Sequence, residues 1–154
     1  TVSGNVGNIG GFVGYFQKNG DYNSLTFENC INLGEINVMS TEPYVAGFTT
    51  GATSYIKCIN AGNVTGASYL YNGADVASGT VAGFDASVST KFENCINLGD
   101  ISANSYTFSD EESCSTEKVY GFSSIESEIN KPSFTNCIDA GSANCPFTDF
   151  DENR

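Results

Sequence analysis

"FENCINLGEI" fills residues 27–36 and "FENCINLGDI" fills residues 92–101, and the two differ only in Glu35 against Asp100. Two looser copies, "YIKCINAGNV" at 55–64 and "FTNCIDAGSA" at 134–143, keep the same frame. Aligned, they give five columns. An aromatic (Phe27, Tyr55, Phe92, Phe134) stands three residues before a cysteine (Cys30, Cys58, Cys95, Cys137). Ile31, Ile59, Ile96 and Ile138 follow, then Asn32, Asn60, Asn97 and Asp139, and then Gly34, Gly62, Gly99 and Gly141. A chain repeats itself in this way when one supersecondary unit is built again on top of the last.

Working outward, a Gly-Phe pair precedes each copy: Gly11-Phe12, Gly47-Phe48, Gly83-Phe84 and Gly121-Phe122, at spacings of 36, 36 and 38 residues. The opening "VSGNVGN" aligns with the tail of a module, "NAGNVTG" at 60–66, so the first residues read as the end of a preceding repeat. The chain starts at Thr1 rather than Met, as expected of a mature form or an excised fragment. One repeat domain over 1–154 is expected, with units near 1–36, 37–66, 67–103 and 104–145 and a tail at 146–154.

Each unit is too short to bury an apolar face alone and needs neighbours above and below. Its runs are short, rich in Val, Ile, Phe and Tyr, and bounded by Gly, Asn and Asp, which is the signature of strands. No sustained 3.6-residue period is present. The fold class expected is all-β: a parallel β-solenoid (β-helix) of about four coils with inserted loops, each coil made of two or three strands. Rungs about 4.8 Å apart would then stack like on like. Phe12, Phe48, Phe84 and Phe122 would form one aromatic column, and Phe27, Tyr55, Phe92 and Phe134 a second. The isoleucines would form an aliphatic column inside, with Asn32, Asn60, Asn97 and Asp139 at a corner, bonding backbone and one another. Simple alternation would turn Cys30 outward if Phe27 and Ile31 face in. A turn at Glu28-Asn29 that resets the parity is the preferred solution.

The pattern resembles the GLUG-type repeat, in which a Gly-[Leu/Phe/Ile]-[Val/Ala]-Gly strand precedes an Asn-Cys-[Tyr/Ile]-Asn-x-Gly-x-[Val/Ile] element. "GGFVGYF" at 10–16 carries the first element. "NCINLGEI" at 29–36, "KCINAGNV" at 57–64 and "NCINLGDI" at 94–101 carry the second. The resemblance implies a segment of a large secreted or surface protein of adhesin-like character. It implies no activity.

Composition bounds the function. Eighteen acids against six bases give a net charge of −12, which disfavours nucleic acid and anionic membranes, since both are bound through Lys and Arg. No apolar run approaches a membrane span. Histidine is absent, so no Ser-His-Asp or Cys-His machinery is possible. Repeated acids such as Glu35 and Asp100 follow the repeat instead of breaking it, as a catalytic pair would. No enzyme is expected. A carbohydrate-binding module, or a degenerate polysaccharide-processing β-helix, is the alternative.

Six cysteines without a C-x-x-C pair argue against zinc and for an extracellular or cell-surface setting. The four module cysteines read as a packed column in preference to a metal or redox ladder. Bridges between adjacent rungs are within Cα range, since about 4.8 Å lies inside about 4.4–6.8 Å. Cys114, in the loop "SDEESCSTEK", and Cys145, in the tail "ANCPF", are expected to bond each other. Asn63-Val64-Thr65 is a glycosylation sequon. Tyr69 and Tyr71 in "SYLYNG" are the candidate binding aromatics, for a protein or a glycan at a surface. Self-association into fibres is a further expectation. No cofactor is expected. Calcium at Asp110-Glu111-Glu112 or Asp149–Glu152 is set against a solvated acidic loop and tail, and the latter is preferred.

Overall fold

The computed structural model describes residues 2–4, 7–14, 25–40, 44–51, 53–69, 79–87, 91–106, 118–123 and 132–144. Among them every ordered element is a strand. Four short strands make one coil, against the two or three expected. The first coil is β2 (Asn8–Gly10), β3 (Leu25–Glu28), β4 (Ile31–Asn32) and β5 (Ile36–Ser40). The second is β6 (Tyr44–Ala46), β7 (Thr53–Ile56), β8 (Ile59–Asn60) and β9 (Val64–Tyr69). The third is β10 (Thr80–Ala82), β11 (Lys91–Glu93), β12 (Ile96–Asn97) and β13 (Ile101–Tyr106). The fourth is β14 (Lys118–Tyr120), β15 (Ser133–Thr135), β16 (Ile138–Asp139) and β17 (Ala143–Asn144). Equivalent strands of successive coils pair in parallel, giving four sheets: β14-β10-β6-β2, β15-β11-β7-β3, β16-β12-β8-β4 and β1-β5-β9-β13-β17. This is a parallel β-solenoid of about four coils.

β1 (Val2–Gly4) pairs with β5 and so belongs to a coil below the first, as the opening stretch implies. Its register differs from the sequence alignment. Val2 is the Cα partner of Ile36, which is in turn that of Val64, whereas the alignment expects Val6 in that place.

Register follows the columns read from the sequence. Phe27, Tyr55, Phe92 and Phe134 are Cα partners in turn, and so are Ile31, Ile59, Ile96 and Ile138. The corner between the second and third sheets is made by Asn29, Lys57, Asn94 and Asn136, at φ 54°, 52°, 54° and 53°. A left-handed residue inserted between two strands shifts the alternation by one, so the aromatic and the cysteine both point inward. Asn tolerates this conformation because its short polar side chain bonds locally. Lys57 has no such help.

The interior has two halves. Ile9, Val45 and Val81 from the first sheet meet Ile36, Val38, Val64, Ile101 and Ala103 from the long sheet in an aliphatic core. The other half is aromatic and sulfurous: Phe48, Phe84, Tyr55, Phe92, Cys58 and Cys95 are all buried. Phe12, Phe48, Phe84 and Phe122 stack with ring centroids 4.9, 4.9 and 5.0 Å apart. The second column stacks at 5.5, 4.9 and 5.1 Å and meets the first edge-on, as at Phe48–Tyr55, 5.5 Å and 82°. Stacked contacts within columns and edge contacts between them are the two favourable aromatic geometries, each adding about 0.5–1.5 kcal/mol beyond burial.

The isoleucine column is a correction. It lies outside: Ile31 is 52% and Ile138 56% exposed, and Ile59 and Ile96 are half-buried. The same parity shift that brings the cysteines in turns the next residue out. The column that faces in is the amide one.

Candidate functional site

Three rung-to-rung columns offer chemistry: an amide ladder inside, a thiol column inside, and a flat apolar face outside. Asn32 Nδ2 donates to Asn60 Oδ1 at 2.8 Å, Asn60 Nδ2 to Asn97 Oδ1 at 2.9 Å, and Asn97 Nδ2 to Asp139 Oδ1 at 2.8 Å. The same amides donate to the carbonyl two residues on, at Gly34, Gly62 and Gly99. The ladder is directional and ends on Asp139, a carboxylate that accepts and cannot pass a proton on.

The wall opposite the ladder is glycine for a steric reason. A Cβ on Gly83 would overlap Gly121 O and sit 2.7 Å from Asn97 Oδ1. A Cβ on Gly99 would overlap Gly62 O and sit 3.0 Å from Asn60 Nδ2. The Gly-Phe pair and the Cys-Ile-Asn-x-Gly string are therefore two sides of one contact.

Cys30, Cys58, Cys95 and Cys137 are free thiols, and the possible bridge between adjacent rungs is not formed. In-register parallel rungs hold Cβ atoms near the strand spacing of about 4.8 Å, beyond the 3.5–4.5 Å a disulfide needs. Each thiol donates to a backbone carbonyl: Cys30 to Glu28 at 3.3 Å, Cys58 to Ile56 at 3.3 Å, Cys95 to Glu93 and Cys137 to Thr135, both at 3.4 Å. Cys58 also lies 3.4 Å from Phe27 O of the coil below. The neighbouring Cys95 and burial push the Cys58 thiol well up, while the neighbouring Cys58 brings Cys95 down to about 6. Burial raises Cys137. Cys58 and Cys95 are buried, and Cys30 and Cys137, at the two ends, are half-buried.

Outside, β4, β8, β12 and β16 present Ile31, Ile59, Ile96 and Ile138 in one rank. Leu33, at 77% exposure, and Leu98, at 52%, stand beside it. Glu35, Asn63, Asp100 and Ser142 edge this face at its far corner. Asn63 Oδ1 accepts from Asp100 N at 3.0 Å, and Asp100 Oδ1 accepts from Ser142 N at 3.0 Å and Ser142 Oγ at 2.7 Å. The Ser142 hydroxyl and N–H hold the Asp100 carboxyl below its usual range. On the adjoining sheet Lys91 pairs with Glu93 at 2.6 Å and lowers its carboxyl too.

The sequon residue Asn63 is thus exposed on an outer corner. Tyr69 ends β9, its backbone partnered with that of Tyr106. Tyr71, Cys114, Cys145 and both acidic stretches proposed for calcium lie outside the described residues. Among the described residues no three Cys, Asp or Glu converge as a metal site, and no helix is long and apolar enough to cross a membrane.

One buried polar pair was not anticipated. Asp85 is fully buried, with Oδ2 accepting from Tyr55 OH at 3.3 Å and Oδ1 accepting from Ser87 N at 2.9 Å. The signal lay in the columns. Tyr55 is the one tyrosine among phenylalanines. Asp85 is the one acid in the bridged series Val13, Thr49, Asp85, Ser123.

No protein family, curated protein or solved structure matches the chain.

Proposed function

We propose that this chain is a non-enzymatic structural or adhesive module of an extracellular or cell-surface protein, serving as a rigid spacer that presents its outer faces to a partner. The observation that supports this reading is the strict register of like side chains through four coils, because it serves stiffness and repetition. Among the described residues the chemistry is spread along the axis in lines. The flat isoleucine and leucine ranks are the face best suited to contact, since exposed apolar patches on such a scaffold mark interaction surfaces. Assembly into fibres would require β1 to yield. It already fills, in the fifth-strand position of its sheet, the level that the last coil of another copy would occupy.

The test is mechanical and chemical together. Pulled along its axis in a force spectrometer, the chain should resist as one unit and release its length in few, high-force steps. Gradual extension at low force would overturn the spacer reading. Turnover of any member of a polysaccharide panel, abolished by substituting a carboxylate, would overturn the non-enzymatic one.

A further inference from the structure

Packing accounts for buried cysteines, but not for four of them in one line at rung spacing. Their thiols donate to backbone carbonyls and pack together in the aromatic half of the core. Four thiols in a line cannot converge on one ion, so tetrahedral zinc, which needs four ligands around a point, is not served. Two ligands on opposite sides of an ion are. Two bonds of about the zinc–sulfur length of 2.3 Å, laid end to end, span about 4.6 Å, close to the rung spacing of about 4.8 Å. The spacing that is too long for a disulfide is the right length for a linear S–metal–S bridge.

The geometry points to a binding site for soft monovalent d10 cations, of the copper(I) class, held two-coordinate between neighbouring rungs at Cys30–Cys58 and Cys95–Cys137. Soft thiolates select such ions. Pairing the four sulfurs without sharing gives two ions per chain. Each ion enters as M⁺, two S–H protons leave to solvent, and two metal–sulfur bonds form, with no change of oxidation state. Cys30 and Cys137 are the half-buried members, so each pair has one thiol within reach of solvent and one in the dry interior. The hydrogen bonds given up are S–H donations to backbone carbonyls at 3.3–3.4 Å, which are weak. The flanking phenylalanines keep water and harder ligands away from the interior sulfurs.

Silver(I) is the probe, since it is redox-inert. The protein is the full chain, reduced, with Cys114→Ser and Cys145→Ser so that only the column remains. Native mass spectrometry after gel filtration should count two silver ions per chain. X-ray absorption should give two sulfurs per silver, and four protons should be released in all. Thermal unfolding should move up by several degrees. Cys137→Ala, at the half-buried end, should cut the count from two to one with an unchanged far-UV spectrum. Cys95→Ala should do the same, and if that variant loses its fold, Cys137→Ala decides. No silver retained, three or four sulfurs per ion, or a count unchanged by Cys137→Ala would overturn the proposal. The spacer reading above does not depend on the result.

Discussion

The two columns carried by β4, β8, β12 and β16 differ by one place in the chain and face opposite ways. Ile59 is partly exposed, while Asn60, its neighbour, is fully buried. Hydrophobicity alone would have reversed them. Two local facts override it. The left-handed residue at 29, 57, 94 and 136 sets which side chain of the next strand turns in. The glycine wall opposite then leaves a slot that suits a flat amide bonded above and below. A buried amide is tolerable only when its donors and acceptors are used, and a stack at rung spacing uses them all. The slot exists because the wall carries no Cβ: one added at Gly47 would fall 2.5 Å from Asn60 Oδ1.

The sharpest way to break this comparison is to truncate both columns. Asn60→Ala removes two ladder bonds, leaving Asn32 Nδ2 with its Gly34 bond alone and Asn97 Oδ1 without its ladder donor. Orphaning buried polar groups costs about 1–3 kcal/mol each, so a loss of about 3 kcal/mol is expected by urea denaturation. Ile31→Ala, half exposed, should cost no more than about 0.5 kcal/mol. Equal losses would mean that the parity assigned to these strands is wrong.

Next in size is the wall. Gly83→Ala pushes a Cβ into Gly121 O, which is backbone and cannot swing aside, and crowds Asn97 Oδ1. Overpacking of this sort costs about 2 kcal/mol. Gly34→Ala is the control: its Cβ would meet Asn32 Oδ1 at an ordinary 3.5 Å, and it should cost clearly less in the same denaturation series.

Much of this was legible before any coordinates. The Phe stack, the Asn ladder and the parity reset at Glu28-Asn29 all follow from matched columns, because stacking in register is the only way a short repeat buries itself. The sidedness of Ile31 was not legible. A strand of two residues is too short to show alternation, and the one left-handed residue before it decides everything. Four strands per coil rather than two or three escaped for the same reason: β4 and its equivalents are too brief to carry a period. The Tyr55–Asp85 bond was visible only as two breaks in pattern, one rung apart. Breaks are harder to read than matches, since most of them are neutral. Whether the packed thiols could bridge was not legible from the repeat, because Cα spacing permits a disulfide and Cβ spacing decides it.

The corner itself gives the third test. Lys57 adopts the left-handed conformation that the other three rungs give to Asn. A residue without local side-chain bonding is strained there by about 1 kcal/mol. Lys57→Asn should therefore stabilise the fold by about that amount. It would also place an amide in line with Asn94, as Asn136 already is, its Nδ2 donating to Asn94 Oδ1 at 3.2 Å. No gain in the urea midpoint would mean that the corner is not the element that fixes parity.

The smallest effect contrasts the dry ladder with its wet counterpart. Asp100, Asn63 and Ser142 form a rung-to-rung chain on the outer corner, laid out like the amide ladder but in water. Its worth should be small and pH-dependent. The Asp100 carboxyl is held below its ordinary value by Ser142, so its folded pKa lies under its unfolded one. The sign follows from that order. The contribution is complete above the unfolded pKa of about 4 and is lost as pH falls through the folded value. Ser142→Ala should lower the thermal midpoint slightly at pH 6, and the gap from the parent should close as the pH is taken from about 4 toward 2. The Asn60→Ala gap should not close, because no proton is exchanged when an amide ladder is cut. If both gaps close together, acid is loosening the whole solenoid, and the outer chain contributes nothing of its own.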